Sequence, residues 1–183
     1  MIQIASETFI LSALVLVILP LDWIITVLIA SLFHEMCHIF SVYLFNGRLL
    51  KIKVRFMGCT IEAGGLGEWK QFISILAGPI GSLSLLILYR FAPKLALCGF
   101  IQGAYNLLPI EQLDGGHLLR ILLNSFNLKQ TDQILYLTTI ITCVLFDLLT
   151  AFLILSHRAG LWLIFAVGIW NVRMLPRKIP CKP

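Results

Sequence analysis

Charge is scarce in this sequence: 13% of its 183 residues are charged against 59% hydrophobic. With a mean hydropathy of +0.94, that balance excludes an ordinary water-soluble domain. The cysteines (Cys37, Cys59, Cys98, Cys143 and Cys181) are scattered, odd in number and form no C-x-x-C pair. They point to neither a disulfide framework nor a thiolate metal site, and read as small apolar fillers. Despite a formal net charge of +5, no basic run is long enough for nucleic acid, and no nucleic-acid partner is expected. The first seven residues carry no Lys or Arg, so the charged region that opens a secretory signal is missing. Internal repeats and low-complexity segments are absent as well.

What the chain does have is apolar length. A bilayer crossing takes roughly 20 residues, and apolar runs near 4–20, 23–45, 71–90, 95–110, 132–155 and 159–175 predict an all-α polytopic membrane protein with about six transmembrane helices. The first run is short, and Pro20-Leu21-Asp22 breaks it from the second. Six spans would put eleven of the fourteen Lys and Arg residues on one side, leaving Arg90, Lys94 and Arg158 on the other. The positive-inside bias then predicts cytoplasmic termini and a cytoplasmic 46–70 loop.

Within that loop, Leu50 to Phe56 alternates apolar and basic residues, the period-two pattern of a half-buried strand, and Met57 to Glu62 can return as its partner. A small membrane-adjacent β-hairpin after the second helix is expected. Its basic face suits water or lipid headgroups, and a free strand edge could bind an extended substrate by backbone pairing.

The chemistry concentrates in His34-Glu35-Met36-Cys37-His38, inside the second span. On a helix the four-residue spacing brings both imidazoles to one face, within reach of one ion. Three ionisable groups in five residues are costly in hydrocarbon and call for metal, water or charged partners. Zinc suits two neutral imidazoles, with Glu35 placed as general base. A third ligand should come from another span, and Glu111 and Asp114 are the acidic candidates, Asp114 being favoured. Pro109 and Gly115-Gly116 allow that segment to bend back into the membrane. His117 reads as a supporting or interfacial group. Asn106 could donate its amide to a substrate carbonyl, or it could serve as a helix-capping residue. Asp147, alone in an apolar run, receives no catalytic role.

The pairing of H-E-M-C-H with N-L-L-P-I-E-Q-L-D-G-G-H, and with Gly78-Pro79 on a helix between them, resembles the site-2 protease family of intramembrane zinc metalloproteases. The resemblance covers about 23–117. It implies one membrane-embedded domain over 1–183, with a catalytic core at 23–117 and accessory helices in 1–22 and 118–183. It also implies His34, His38 and Asp114 as ligands to one zinc ion, Glu35 as catalytic glutamate, Asn106 facing the scissile peptide, and the 46–70 hairpin as a substrate-pairing sheet. The partners implied are a membrane-embedded or membrane-associated protein substrate, the lipid bilayer, and a membrane inhibitor or regulator. The cytoplasmic membrane of a bacterium is the expected location. The absence of an inserted PDZ domain looks most like the sporulation-type branch, although Ser82 and Glu111 depart from residues frequent there, and no nucleotide-sensing CBS domain is expected. Two other readings compete: a transporter in which His34, Glu35 and His38 relay protons or metal ions, and a non-catalytic protein that holds membrane clients.

Overall fold

The structure is a computed structural model, and it describes residues 2–4, 20–55, 58–128, 130–156, 167–168, 170–171 and 174. Among the described residues the elements in chain order are β1 (Ile2–Ile4), α1 (Leu21–Leu44), β2 (Arg48–Arg55), β3 (Gly58–Gly64), α2 (Glu68–Ser84), α3 (Pro93–Asn106), α4 (Asp114–Ser125) and α5 (Thr131–Leu155). They fall into two compact units, Met1–Asn106 and Leu107–Pro183.

In the first unit α1 runs 24 residues without an internal Pro or Gly, opened by Pro20 and carrying Asp22 in its first turn. Its end is a Schellman closure. Asn46 takes a left-handed φ of 54°, while the amides of Asn46 and Gly47 donate to the carbonyls of Tyr43 and Val42 at 3.0 and 2.9 Å. The chain thereby turns directly into β2, which pairs antiparallel with β3. Ile2–Ile4 lies parallel on the other side of β2, against Ile52–Val54. Over that stretch β2 is the central strand, and the outer sides of the order β1-β2-β3 belong to the short β1 and the longer β3. The strand at Ile2–Ile4 also overlaps the start of the run expected to span from residue 4; the rest of that run, 5–19, lies outside the described residues, as does most of the run at 159–175.

α2 continues through a 3-10 turn, Leu85–Leu88, and it packs with α1 and α3 as a three-helix group. Ala30, Leu85 and Cys98 form its small apolar centre, with Trp23 and Leu95 against it. The close approach depends on small residues: a Cβ on Gly99 would lie 2.7 Å from both the Ser82 carbonyl oxygen and Leu85 Cδ1.

α3 departs from expectation. It spans 14 residues, about 21 Å of helix, short of the roughly 30 Å hydrocarbon core that the run at 95–110 was expected to cross. The helix stops at Asn106, ahead of Pro109, because a residue preceding proline is pushed out of the helical region and proline has no amide to offer the preceding turn.

In the second unit, α4 packs on α5. α4 also ends on a left-handed asparagine, Asn127, with φ 52°. Among the described residues, three helical stretches, Leu21–Leu44, Glu68–Leu88 and Thr131–Leu155, are long and apolar enough to cross a membrane.

The polarity of these helices is inverted relative to a soluble bundle. His34, His38, Ser41, Ser74, Ser82 and Thr139 are buried, whereas Leu28, Leu32, Phe40, Ile80, Leu145 and Leu148 are exposed. Apolar side chains turned outward suit lipid, and buried hydroxyls and imidazoles bond inward.

Candidate metal centre

His34 and His38 lie one turn apart on the stripe of α1 that also buries Ala30, Ser41 and Val42. Opposite them, α2 presents a stripe of small residues at the same period: Ser74, Gly78, Pro79 and Ser82, all buried. Nδ1 of His38 is 2.8 Å from the Ser74 carbonyl oxygen. A carbonyl can only accept, so Nδ1 carries the proton and Nε2 keeps its lone pair. Nδ1 of His34 is 2.8 Å from the Ser82 hydroxyl. Both Nε2 atoms converge, 3.2 Å apart, with the rings at 83° to one another.

That spacing fits a metal. Two imidazole nitrogens bound to one tetrahedral zinc at about 2.0–2.1 Å stand about 3.3–3.4 Å apart. The space is kept by Gly78, where a Cβ would fall 2.1 Å from His38 Nε2. The donor set, two imidazoles each bonded through its far ring nitrogen, is the kind that borderline metals such as zinc prefer. Glu35 is half-buried on the same turn, and its Oε2 is shielded from solvent. Cys37 faces α2 rather than the two imidazoles: a Cβ on Gly81 would lie 2.3 Å from its sulfur.

Asn106 is the last residue of α3. Its side-chain amide donates to the Gln102 carbonyl at 3.1 Å, so the helix-capping use is present. A primary amide has two N–H groups, and the second is available to another acceptor.

In the second unit, Asp114 is the first residue of α4, where a carboxylate is favoured by the helix dipole. The turn before it is tightly built. Cβ atoms on Gly115 and Gly116 would lie 2.2 and 2.0 Å from the carbonyl oxygens of Leu107 and Ile110. Glu111, the rival acidic candidate, is engaged elsewhere: its carboxylate accepts from Arg120 at 2.9 Å, and its amide donates to Thr139 Oγ1 at 3.2 Å. Arg120 also reaches Asp132 at 3.3 Å. His117 sits half-buried in the first turns of α4, and the Asp147 carboxylate accepts from Asn171 at 2.7 Å.

Ser74 and Ser82 carry no motif of their own in the sequence, where Gly78-Pro79 is what stands out between the two motifs. The signal was present in the i, i+4, i+8 repeat of Ser74, Gly78 and Ser82, which matches the spacing of the two histidines.

A Peptidase M50B-like family model matches residues 8–97, and the Peptidase family M50 model matches residues 65–146. Among solved structures, the chain is similar to the site-2 protease from Methanocaldococcus jannaschii: TM-score 0.63 and 21% identity, over 100% of this chain and 93% of that one. At that identity the likeness shows a shared fold. No curated protein matches the chain significantly. Together with the three helices among the described residues that are long and apolar enough to cross a membrane, these findings support a membrane-embedded metalloprotease. More narrowly, they support the M50 peptidases, in the fold of the site-2 proteases.

Proposed function

We propose that the protein is a zinc-dependent intramembrane endopeptidase that hydrolyses a peptide bond in or near a transmembrane segment of a client protein. The observation that carries this reading is the convergence of His34 and His38 Nε2 at 3.2 Å beside Glu35, on a helix apolar enough to cross the bilayer. His34 and His38 would hold the ion, with Asp114 as third ligand. The engagement of Glu111 by Arg120 supports that choice over Glu111. When bound, zinc supplies Lewis-acid polarisation of a carbonyl and makes a nearby water more acidic.

The protein's own residues do the remaining work. Glu35 takes the proton of the attacking water and can pass it to the leaving amine. Asn106, with one amide N–H beyond its bond to Gln102, would donate to the scissile carbonyl oxygen as charge develops there. A helical peptide bond is shielded by its own hydrogen bonds, so the client must unwind before cleavage. The outer side of β3 is the place where an extended client strand could pair. The client would be a membrane protein, with release of a regulator as the outcome. Within that reading, a compact core with no inserted PDZ domain in the sequence favours the sporulation-type branch.

The test is co-expression with candidate single-span clients, reading a shortened product and the zinc content of the purified protease. Glu35→Gln should abolish the product, a loss of at least ~100-fold, and keep the zinc. Unchanged cleavage by that variant would end the protease mechanism. Bound zinc with no product from any client, together with metal or proton flux in vesicles, would favour the transporter reading.

A further inference from the structure

Each histidine of a two-imidazole metal site has to present an unprotonated nitrogen, and the two here are held by different means. For His38 the backbone decides, because the Ser74 carbonyl at 2.8 Å can only accept. For His34 the partner is the Ser82 hydroxyl at 2.8 Å, which can donate or accept. Left to itself, that contact permits either tautomer of His34, and only one of them leaves Nε2 able to bind metal.

Ser82 is the most enclosed polar group on α2, with 0% of its surface exposed. It stands two helical turns from Ser74, on the stripe that passes under both imidazoles. The backbone around it is pinned by α3, since a Cβ on Gly99 would come within 2.7 Å of its carbonyl oxygen. The hydroxyl is thus closed off from bulk solvent in this packing.

We infer that Ser82 is a positioning residue for the metal centre: its hydroxyl oxygen accepts the His34 Nδ1 proton, holding His34 in the tautomer and ring orientation that turn its Nε2 lone pair toward the ion. The inference rests on the zinc-protease reading above, and concerns how one ligand is kept competent. Partners of this kind, one bond behind a metal-bound histidine, typically contribute 10–100-fold to metal affinity. Ser74 cannot be tested in the same way because its contribution is a backbone carbonyl. Ser82 can.

The experiment uses the purified full-length protein in detergent, stripped with chelator and titrated with Zn2+ and Co2+. Ser82→Ala should weaken zinc binding by about 10–100-fold and alter the visible d–d spectrum of the cobalt form, which reports the ligand field. The unfolding midpoint of the metal-free variant should fall only modestly, because one buried hydrogen bond is lost. Ser84→Ala, which removes an exposed hydroxyl bonded to the Gly81 carbonyl on the same helix, should change neither metal readout. A Ser82→Ala protein with wild-type zinc affinity and an unchanged cobalt spectrum overturns the inference. So does a midpoint that falls while both metal readouts hold. The underlying reading fails separately: if His34→Ala binds zinc as tightly as wild type, the metal site itself is misplaced, whatever Ser82 does.

Discussion

A methyl group on residue 78 would occupy the space beside the nitrogen that His38 offers to a metal, since the Cβ position lies 2.1 Å from Nε2 and 2.4 Å from Cε1. Gly78→Ala is therefore expected to push the His38 ring aside, at a cost of about 1–3 kcal/mol for overpacking, with loss of most bound zinc. Elemental analysis of the purified variant checks it, and a full zinc complement would show that the ring can yield. At Asp114 the expectation is chemical: Asp114→Ala should lose zinc, and Glu111→Ala, which removes a carboxylate held by Arg120, should keep it. The reverse outcome would move the third ligand to Glu111. These residues differ in how legible they were. His34, Glu35 and His38 could be read directly, because H-E-x-x-H is a property of one helix and its geometry follows from the helical repeat alone. Asp114 could be narrowed to a pair by its neighbours Pro109 and Gly115-Gly116. The roles of Ser74, Gly78 and Ser82 were hidden because they depend on which face of α2 meets α1, and a single helix does not encode that choice.

Between elements, the helices of the first unit approach on glycine. Gly99 and Gly103 of α3 leave room for Leu85, Leu83 and the carbonyls of Ser82 and Pro79, at Cβ distances of 2.7–3.0 Å. In a membrane, such contact through small residues replaces the hydrophobic drive that lipid removes. Gly99→Leu should force α3 away from α2 and lower stability by several kcal/mol. The readouts are a lower unfolding midpoint in detergent and a weaker zinc site, because the shifted segment of α2 carries Ser82; a variant as stable as wild type would show that this packing is loose. Element boundaries were partly legible. The long helices at 21–44 and 131–155 follow the apolar runs closely, because length and hydropathy fix them. The end of α3 at Asn106 was placed too late, since apolar residues 107 and 108 continue the run while the backbone has already left the helix ahead of Pro109. The parallel strand Ile2–Ile4 had no local signature: three residues carry too little period to read, and their pairing with Ile52–Val54 is a contact across some fifty positions.

For the molecule as a whole, the expected orientation follows from charge. Two sides are defined by the span Glu68–Leu88: Lys70 lies near its start, with Arg48, Lys51, Lys53 and Arg55 shortly before it, and Arg90 and Lys94 lie past its end. Basic residues are retained on the cytoplasmic side, and the bias counts most within 15–20 residues of a span. The end of α1 at Leu44, the strands and Lys70 should therefore be cytoplasmic, and Phe91 should face the opposite side. On that arrangement His34 is ten residues from the cytoplasmic end of α1, about 15 Å of helix, so water would reach Glu35 from the cytoplasm rather than across the bilayer. Both Lys70 and Phe91 are exposed, which makes them suitable for labelling. In a background with the native cysteines replaced, Lys70→Cys should react with a membrane-impermeant maleimide only when the cytoplasmic face is open, as in inverted vesicles. Phe91→Cys should react in right-side-out cells. Exchange of the two patterns would invert the protein and move the route of water and client to the outer face. Labelling of both positions from one side would remove Glu68–Leu88 as a crossing segment, and with it the depth at which Ser74, Gly78 and Ser82 meet the two histidines.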